Sequence, residues 1–357
     1  MRRSATILRS LQIAAIAAIV LLGAPKTAYA SLVLTSAGIA DGFSLSRVTT
    51  LPTYCCASYG AFGSAILGNG NLVVNGYSAD RINTVNYVFT DIDGQTPAAA
   101  LSTRPWNDGA YASGLASLSG VVYGTHYSDK TTRVVNADGS EGAIVSNVGR
   151  GGIGASLARN SLLVATDAGV EEIDLLNHNP ATNYRVVVDA PGLQVDGVTV
   201  SPNGQTVFAV IRGRVFGYNI STGAKVSDSG PVSGVDGAGV IVGGVFDGDL
   251  VLNTNFGQVF LLNPLTNDLT LIADHGSRGD YVGFDTSNGT LFLSQSNELD
   301  RLALKDASIG GGGGGKTPEP STGALLMAVL LGLLLLASKS GSRGALATRQ
   351  LGRANSK

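Results

Sequence analysis

Cysteine is almost absent from this sequence: of 357 residues only Cys55 and Cys56 carry a thiol, and they are adjacent. Neighbouring cysteines cannot staple distant segments, so no disulfide framework supports the fold. A strained vicinal disulfide, a bridge to another chain and two half-buried thiols are the alternatives. Histidine is nearly as scarce. His126, His178 and His275 stand at no metal-ligand spacing and no CxxC pair occurs, which argues against a structural zinc site. There is no GxSxG elbow and no P-loop. Asp228-Ser229-Gly230-Pro231 has the look of a protease nucleophile segment, but Ser227 precedes it where glycine belongs and the chain has no matching histidine segment. Between Ser31 and Ile309 nothing sustains an apolar stripe of period 3.6, which excludes a helical domain.

What is there begins at the two ends. Arg2, Arg3 and Arg9 precede the apolar run Leu11 to Gly23, and Ala28-Tyr29-Ala30 supplies a small-x-small cleavage site. That is the three-part pattern of a secretory signal, cut between Ala30 and Ser31. At the other end six consecutive glycines, Gly310 to Gly315, form a flexible tether within a linker of residues 310–317. After it come Pro318-Glu319-Pro320 and a transmembrane helix expected over about 323–338. Beyond the helix, Lys339, Arg343, Arg349, Arg353 and Lys357 stand with no acidic residue among them. Basic charge beside an apolar span holds that end in the cytoplasm, which leaves the bulk of the chain outside the inner membrane.

Motif, apolar span and basic tail in that order resemble the PEP-CTERM sorting signal of exported bacterial proteins, over residues 318–357. The resemblance implies that an exosortase recognises Pro318, Glu319 and Pro320 and processes the protein near them. It also implies delivery from a transient inner-membrane anchor to the envelope, outer surface or extracellular matrix of a Gram-negative bacterium. Exopolysaccharide and biofilm are the setting expected there.

Charge is uneven along the chain. The whole sequence has 24 basic and 26 acidic residues, but ten of the basic and only Glu319 of the acidic lie outside 31–309. The domain therefore carries 14 basic against 25 acidic groups, a balance of −11. Such a surface disfavours nucleic acid as a partner and is compatible with divalent cations or neutral glycans.

Residues 31–309 read as all-β, and they repeat. A small-residue or Asp-Gly entry, an apolar strand, a turn and a second apolar strand recur six times. The second strands start near Leu72, Val121, Leu162, Val207, Leu250 and Leu291, at spacings of 49, 41, 45, 43 and 41 residues. Periods of roughly 40–50 residues belong to propeller blades. Asn69-Gly70, Asn203-Gly204, Asp247-Gly248 and Asn288-Gly289 suit tight hairpins that need positive φ. After Glu298–Leu304 the chain enters the linker and leaves the sixth blade one strand short, while residues 42–51 have the pattern of a fourth strand. The spacing predicts a six-bladed β-propeller closed by pairing 42–51 with 298–304, which removes the open edge. The segment Asp196 to Phe208, with Asp196-Gly197 and Ser201-Pro202-Asn203-Gly204, resembles the blade signature of the SMP-30/gluconolactonase, NHL and YVTN propellers.

Counting back 11 residues from each second strand gives Ala61, Ala110, Gly151, Asp196, Gly239 and Asp280. Asp196 and Asp280 thus share a register position at one channel mouth, with Asp108 and Asp236 nearby. Converging carboxylates can hold Ca²⁺, or each can simply cap the turn made with the glycine that follows it. The SMP-30-like lactonases imply a metal-dependent hydrolase as the rival to a non-enzymatic binding scaffold. The glutamate expected early in such chains has no counterpart in the first blade. Trp106, the one tryptophan, is the candidate sugar-stacking platform.

Overall fold

The computed structural model describes residues 31–53, 60–81, 83–106 and 113–304. The signal segment with Ala28 and Ala30, the Cys55-Cys56 pair, Asp108, the linker, Pro318-Glu319-Pro320 and the expected membrane helix lie outside the described residues.

Six antiparallel sheets form a ring, each wound from an inner to an outer strand. Blades I to V are built from residues 64–105, 115–146, 153–189, 195–231 and 235–274. Blade VI joins Gly279–Phe284, Leu291–Gln295 and Glu298–Leu304 to an outer strand from the other end of the domain, Phe43–Thr50. Each innermost strand contacts the next, and Gly279–Phe284 returns to Ser64–Ile66. The architecture is therefore an all-β, six-bladed β-propeller, and second strands begin within one residue of the expected positions. Those strands are legible because a mid-blade strand is covered on both faces. Ser161–Thr166 is buried at all six positions, so its sequence is a continuous apolar run rather than an alternation. The four turn glycines expected to need positive φ have it, at 82° for Gly70, 69° for Gly204, 90° for Gly248 and 79° for Gly289.

The hydrophobic core is divided among the seams between blades. Val207 and Ala209 of blade IV pack with Leu163 and Val188 of blade III. Leu118 of blade II meets Leu162 of blade III, and Val48 and Leu51 of the closing strand join Phe292 and Leu299 of blade VI and Leu72 of blade I. Each blade is thus stable only between its neighbours.

Phe43–Thr50 pairs with Glu298–Leu304 from Phe43↔Leu304 to Thr50↔Glu298, the closure expected from the strand count. The N-terminal segment does more than that. Val33–Leu34 adds a fifth strand to blade V against Asp274 and Ala273, and a short helix, Ser36–Ala40, carries the chain over to blade VI. Thr35 fixes this crossing: its Oγ1 donates to the Leu271 carbonyl at 2.7 Å and accepts from the Gly38 amide at 3.1 Å.

The closing seam holds an unusual carboxyl group. Asp300 is 3% exposed, and burial, aided by the nearby Glu298 charge and opposed by Arg47, pushes it up from 3.8 to about 8. The folded chain therefore holds a proton that the unfolded chain releases above 3.8. This stabilisation is full below 3.8 and is lost as pH rises through about 8, at about 1.4 kcal/mol per pH unit in between. Asp300→Asn keeps a neutral group there. Its thermal midpoint is expected to fall less than that of the parent between pH 5.5 and 8.5, and to exceed it at 8.5. Parallel slopes for the two proteins would defeat the assignment.

Candidate functional site

The innermost strands line a channel, and the chain enters each of them at the same mouth. Five of the six carry a glycine in one register: Gly63, Gly114, Gly152, Gly197 and Gly237. A Cβ on Gly237 would sit 2.0 Å from the Asp280 carbonyl oxygen, and one on Gly152 would sit 2.3 Å from that of Asp196. Only hydrogen permits neighbouring strands to approach this closely. Blade VI has Tyr281 at this register instead. Its ring reaches across the channel, placing the hydroxyl 3.5 Å from where a Cβ on Gly151 would lie. Tyr281 also lines a small cavity among the innermost strands, with Gly63, Gly114 and Gly197.

One residue earlier stand Phe62, Ser113, Gly151, Asp196, Asp236 and Asp280, so three consecutive blades present a carboxylate. In these three blades the ladder shifts register at this point: between Val195 and Val198, between Val235 and Gly237, and between Gly279 and Val282. A bulge of this kind re-aims side chains next to a site. The blade V equivalent of Asp196 and Asp280 is therefore Asp236, and not Gly239. The count slipped because the hairpin from Val240 to Leu250 contains an extra turn, Gly244–Phe246.

Two residues before each aspartate stand Gln194, Gly234 and Arg278, and each shapes the mouth differently. Gln194 donates to Asp196. Arg278 donates through Nη2 to Asp236 Oδ2 at 2.9 Å, and the same nitrogen is 3.0 Å from Asp280 Oδ1. Its Nε donates to Asn255 Oδ1 at 2.6 Å. Gly234, at φ 70°, leaves room for the ring of Phe256, which would be 2.7 Å from a Cβ there. Phe256 is 65% exposed.

Burial pushes the Asp196 carboxyl up to about 6, the Asp236 charge adds to this, and Gln194 and Arg278 oppose it. Burial also raises Asp280 well above the usual carboxylate range. Arg278 opposes that shift, while Asp236 and Asp196 reinforce it. Tyr281 is held well above the ordinary phenol range, by burial first and then by the three aspartates. Among the described residues, the mouth is an acidic cluster, half to fully buried, with Arg278 as its cation.

The structure brings Asp196 and Asp280 to one mouth, and the Arg278 guanidinium bridges Asp236 and Asp280. Among the described residues, no group of three or more His, Cys, Asp or Glu side chains is placed to hold a metal ion. The tryptophan expectation is corrected. Trp106 is 1% exposed, donates from Nε1 to Ser113 Oγ at 2.8 Å and packs on Gly124, where a Cβ would be 2.8 Å from its ring. It fills the seam between blades I and II and offers no face to a sugar. Phe256, Arg278 and Tyr281 had not been picked out from the sequence. The available signal was their register relative to the Asp-Gly steps.

No protein-family model and no curated protein matches this chain. Solved structures do. A protein of unknown function from Bacteroides thetaiotaomicron is 11% identical at a TM-score of 0.52, covering 73% of this chain and 76% of its own. A gluconolactonase from Xanthomonas campestris is 15% identical at a TM-score of 0.50, covering 76% and 94%. The WD40 β-propeller domain of Doa1 is 13% identical at 0.45, covering 74% and 98%. At such identities the first two are likenesses of fold alone.

Proposed function

We propose that this chain is an exported binding protein, sorted by an exosortase through Pro318, Glu319 and Pro320, whose channel mouth takes a glycan of the cell surface or matrix. The observation that carries the reading is Arg278, whose guanidinium occupies the space between Asp236 and Asp280. With it in place the mouth is a surface of hydrogen-bond donors and acceptors, formed by Asp196, Asp236, Gln194, Asn255 and Tyr281. Planar polar groups of this kind pair with neighbouring sugar hydroxyls, and the exposed ring of Phe256 offers an apolar face beside them.

Phe256→Ala is expected to weaken retention on exopolysaccharide-derived oligosaccharides by about tenfold, the loss of one stacking contact, with the thermal midpoint unchanged. Retention equal to that of the parent would remove this site from the reading. Sorting has its own test. Mass spectrometry of the protein from its host should find a C-terminus near Pro318; an intact Lys357 defeats processing.

A second reading has one observation in its favour, the likeness to a gluconolactonase. Asp196, pushed up to about 6, is in the range suited to a general base. Turnover of gluconolactone that Asp196→Asn abolishes would establish a hydrolase; no turnover with or without added Ca²⁺ would dismiss it.

A further inference from the structure

Ser31, the residue that follows the expected cleavage point, lies at the seam that closes the ring. Its Oγ accepts from Arg47 Nη2 at 2.7 Å, and Arg47 Nε is 2.5 Å from Glu298 Oε2. Glu298 is 1% exposed, yet its other carboxylate oxygen, Oε1, has no hydrogen-bond partner. Asp300, buried on the same strand and opposite Arg47 in the ladder, likewise has an oxygen, Oδ2, without a partner. Buried carboxylate oxygens do not go without a donor at low cost. Among the described residues, Arg47 is the one cation that acts on both acids, so the seam is short of one positive charge. The Ser31 hydroxyl and the Leu32 amide are near enough to favour the charged form of Glu298. The start of the domain is therefore already set against that carboxylate.

We propose that removal of the signal peptide creates the missing cation: the α-ammonium of Ser31 pairs with Glu298 and locks the clasp of the ring. The inference rests on the reading of the chain as exported and cut after Ala30. Hydrolysis of the Ala30–Ser31 peptide bond consumes one water. The carboxylate stays on Ala30, and the nitrogen stays on Ser31, where it takes up protons and becomes an ammonium. While the chain continues to Ala30, that nitrogen is an uncharged amide with a single hydrogen. Once free, it carries three donors and a full charge. Only three bonds separate it from the hydroxyl that Arg47 holds, which keeps it close to Glu298 while Ser31 stays in place. A charged hydrogen bond to a buried carboxylate is among the stronger single contacts a protein makes. Glu298 heads the strand on which Phe43–Thr50 pairs, at Thr50↔Glu298, so the new contact ties the first residue to the closing strand. The seam gains this cation only after the signal has gone.

The test compares two chains in detergent at pH 7, each released from a removable N-terminal fusion: residues 31–357, and the same chain with Tyr29-Ala30 retained. Both have a free amine, but the second carries it two residues away from Ser31. The chain that begins at Ser31 is expected to melt roughly 3–6 °C higher, the yield of one charged hydrogen bond in a domain of this size. Glu298→Gln should remove the difference. Equal midpoints, or a difference that survives Glu298→Gln, overturn the pairing and leave the export reading standing. Competitive acetylation, read by mass spectrometry of the N-terminal peptide, keeps the question open to test if that variant folds poorly. Beside Glu298, Asp300 and Arg47, the Ser31 amine should titrate about one unit or more above the ordinary value of about 7.7–8.0, and the Tyr29 amine at it. Ordinary titration of both amines overturns the pairing as well. Mass spectrometry of the protein from its host should find Ser31 as the first residue; a chain that begins elsewhere overturns the cleavage reading, and this inference with it.

Discussion

A chain lacking residues 31–52 is expected to show no cooperative melting transition at all. The segment supplies the outer strand of blade VI and the fifth strand of blade V, so its loss opens the ring at two adjoining sheets. Leu32, Phe43, Val48 and Leu51 are between 0 and 7% exposed in the seams they fill. At about 1.5–3 kcal/mol for each fully buried side chain, they contribute about 6–12 kcal/mol. That is as large as the whole stability of an ordinary domain, about 5–15 kcal/mol. The deletion also strips the hydrogen-bonded partner from Glu298–Leu304 along its length. Glu298, with its side chain 1% exposed, loses the Arg47 guanidinium that lies 2.5 Å away. Circular dichroism melting decides the matter. A transition within a few degrees of the parent would show that the ring does not need its clasp. Recovery of a transition when residues 31–52 are added as a separate peptide would show that the lost contacts, and not the shorter chain, are the cause.

The ring and its closure were legible for one physical reason. Strands pressed between two neighbours must be apolar on both sides, so six such runs at a regular period are visible against glycine-rich turns. A count that ends one strand short then points back to residues 42–51. The added strand Val33–Leu34 left no such trace, because two residues carry no pattern and its place depends on a single crossing held by Thr35. The site was half legible. Asp196 and Asp280 share a register that counting finds. Asp236 was displaced from the count by the longer hairpin of blade V. Arg278 and Phe256 sit in loops, where sequence gives position without direction. Trp106 shows the opposite error: its ring is large enough to suit a sugar, but Gly124 and Ser113 make a slot that buries it.

Arg301→Met is expected to destabilise the protein by about 3–5 kcal/mol, the usual cost of removing one partner from a buried ionic group. For a domain this size that lowers the midpoint by roughly 6–15 °C. The side chain of Arg301 is fully buried and serves three carboxylates at once. Nη2 binds Asp91, Nε binds Asp93 Oδ1 at 3.0 Å, and Nη1 binds Asp285 Oδ2 at 2.9 Å and Thr290 Oγ1 at 3.1 Å. Asp91 and Asp93 follow the third strand of blade I, whereas Asp285 follows the innermost strand of blade VI. Ser46 of the closing strand donates to the other oxygen of Asp93 at 2.6 Å. The first blade, the last blade and the clasp thus meet on one guanidinium, itself stacked over Phe292 at 4.8 Å. Lysine cannot replace this fork, because one ammonium cannot face three carboxylates in these directions, so Arg301→Lys should recover little. In Arg301→Met the three carboxylates face one another without a counter-charge, and folding raises their pKa values. The deficit relative to the parent should therefore shrink as pH falls from 7 to 4.5 and the crowded groups take up protons. Neutralising the nest with Asp91→Asn and Asp285→Asn should restore part of the loss in the Met background while harming the parent. An Arg301→Met protein that melts with the parent at pH 7, or a deficit that does not vary with pH, would show that the seam is held by its apolar contacts alone.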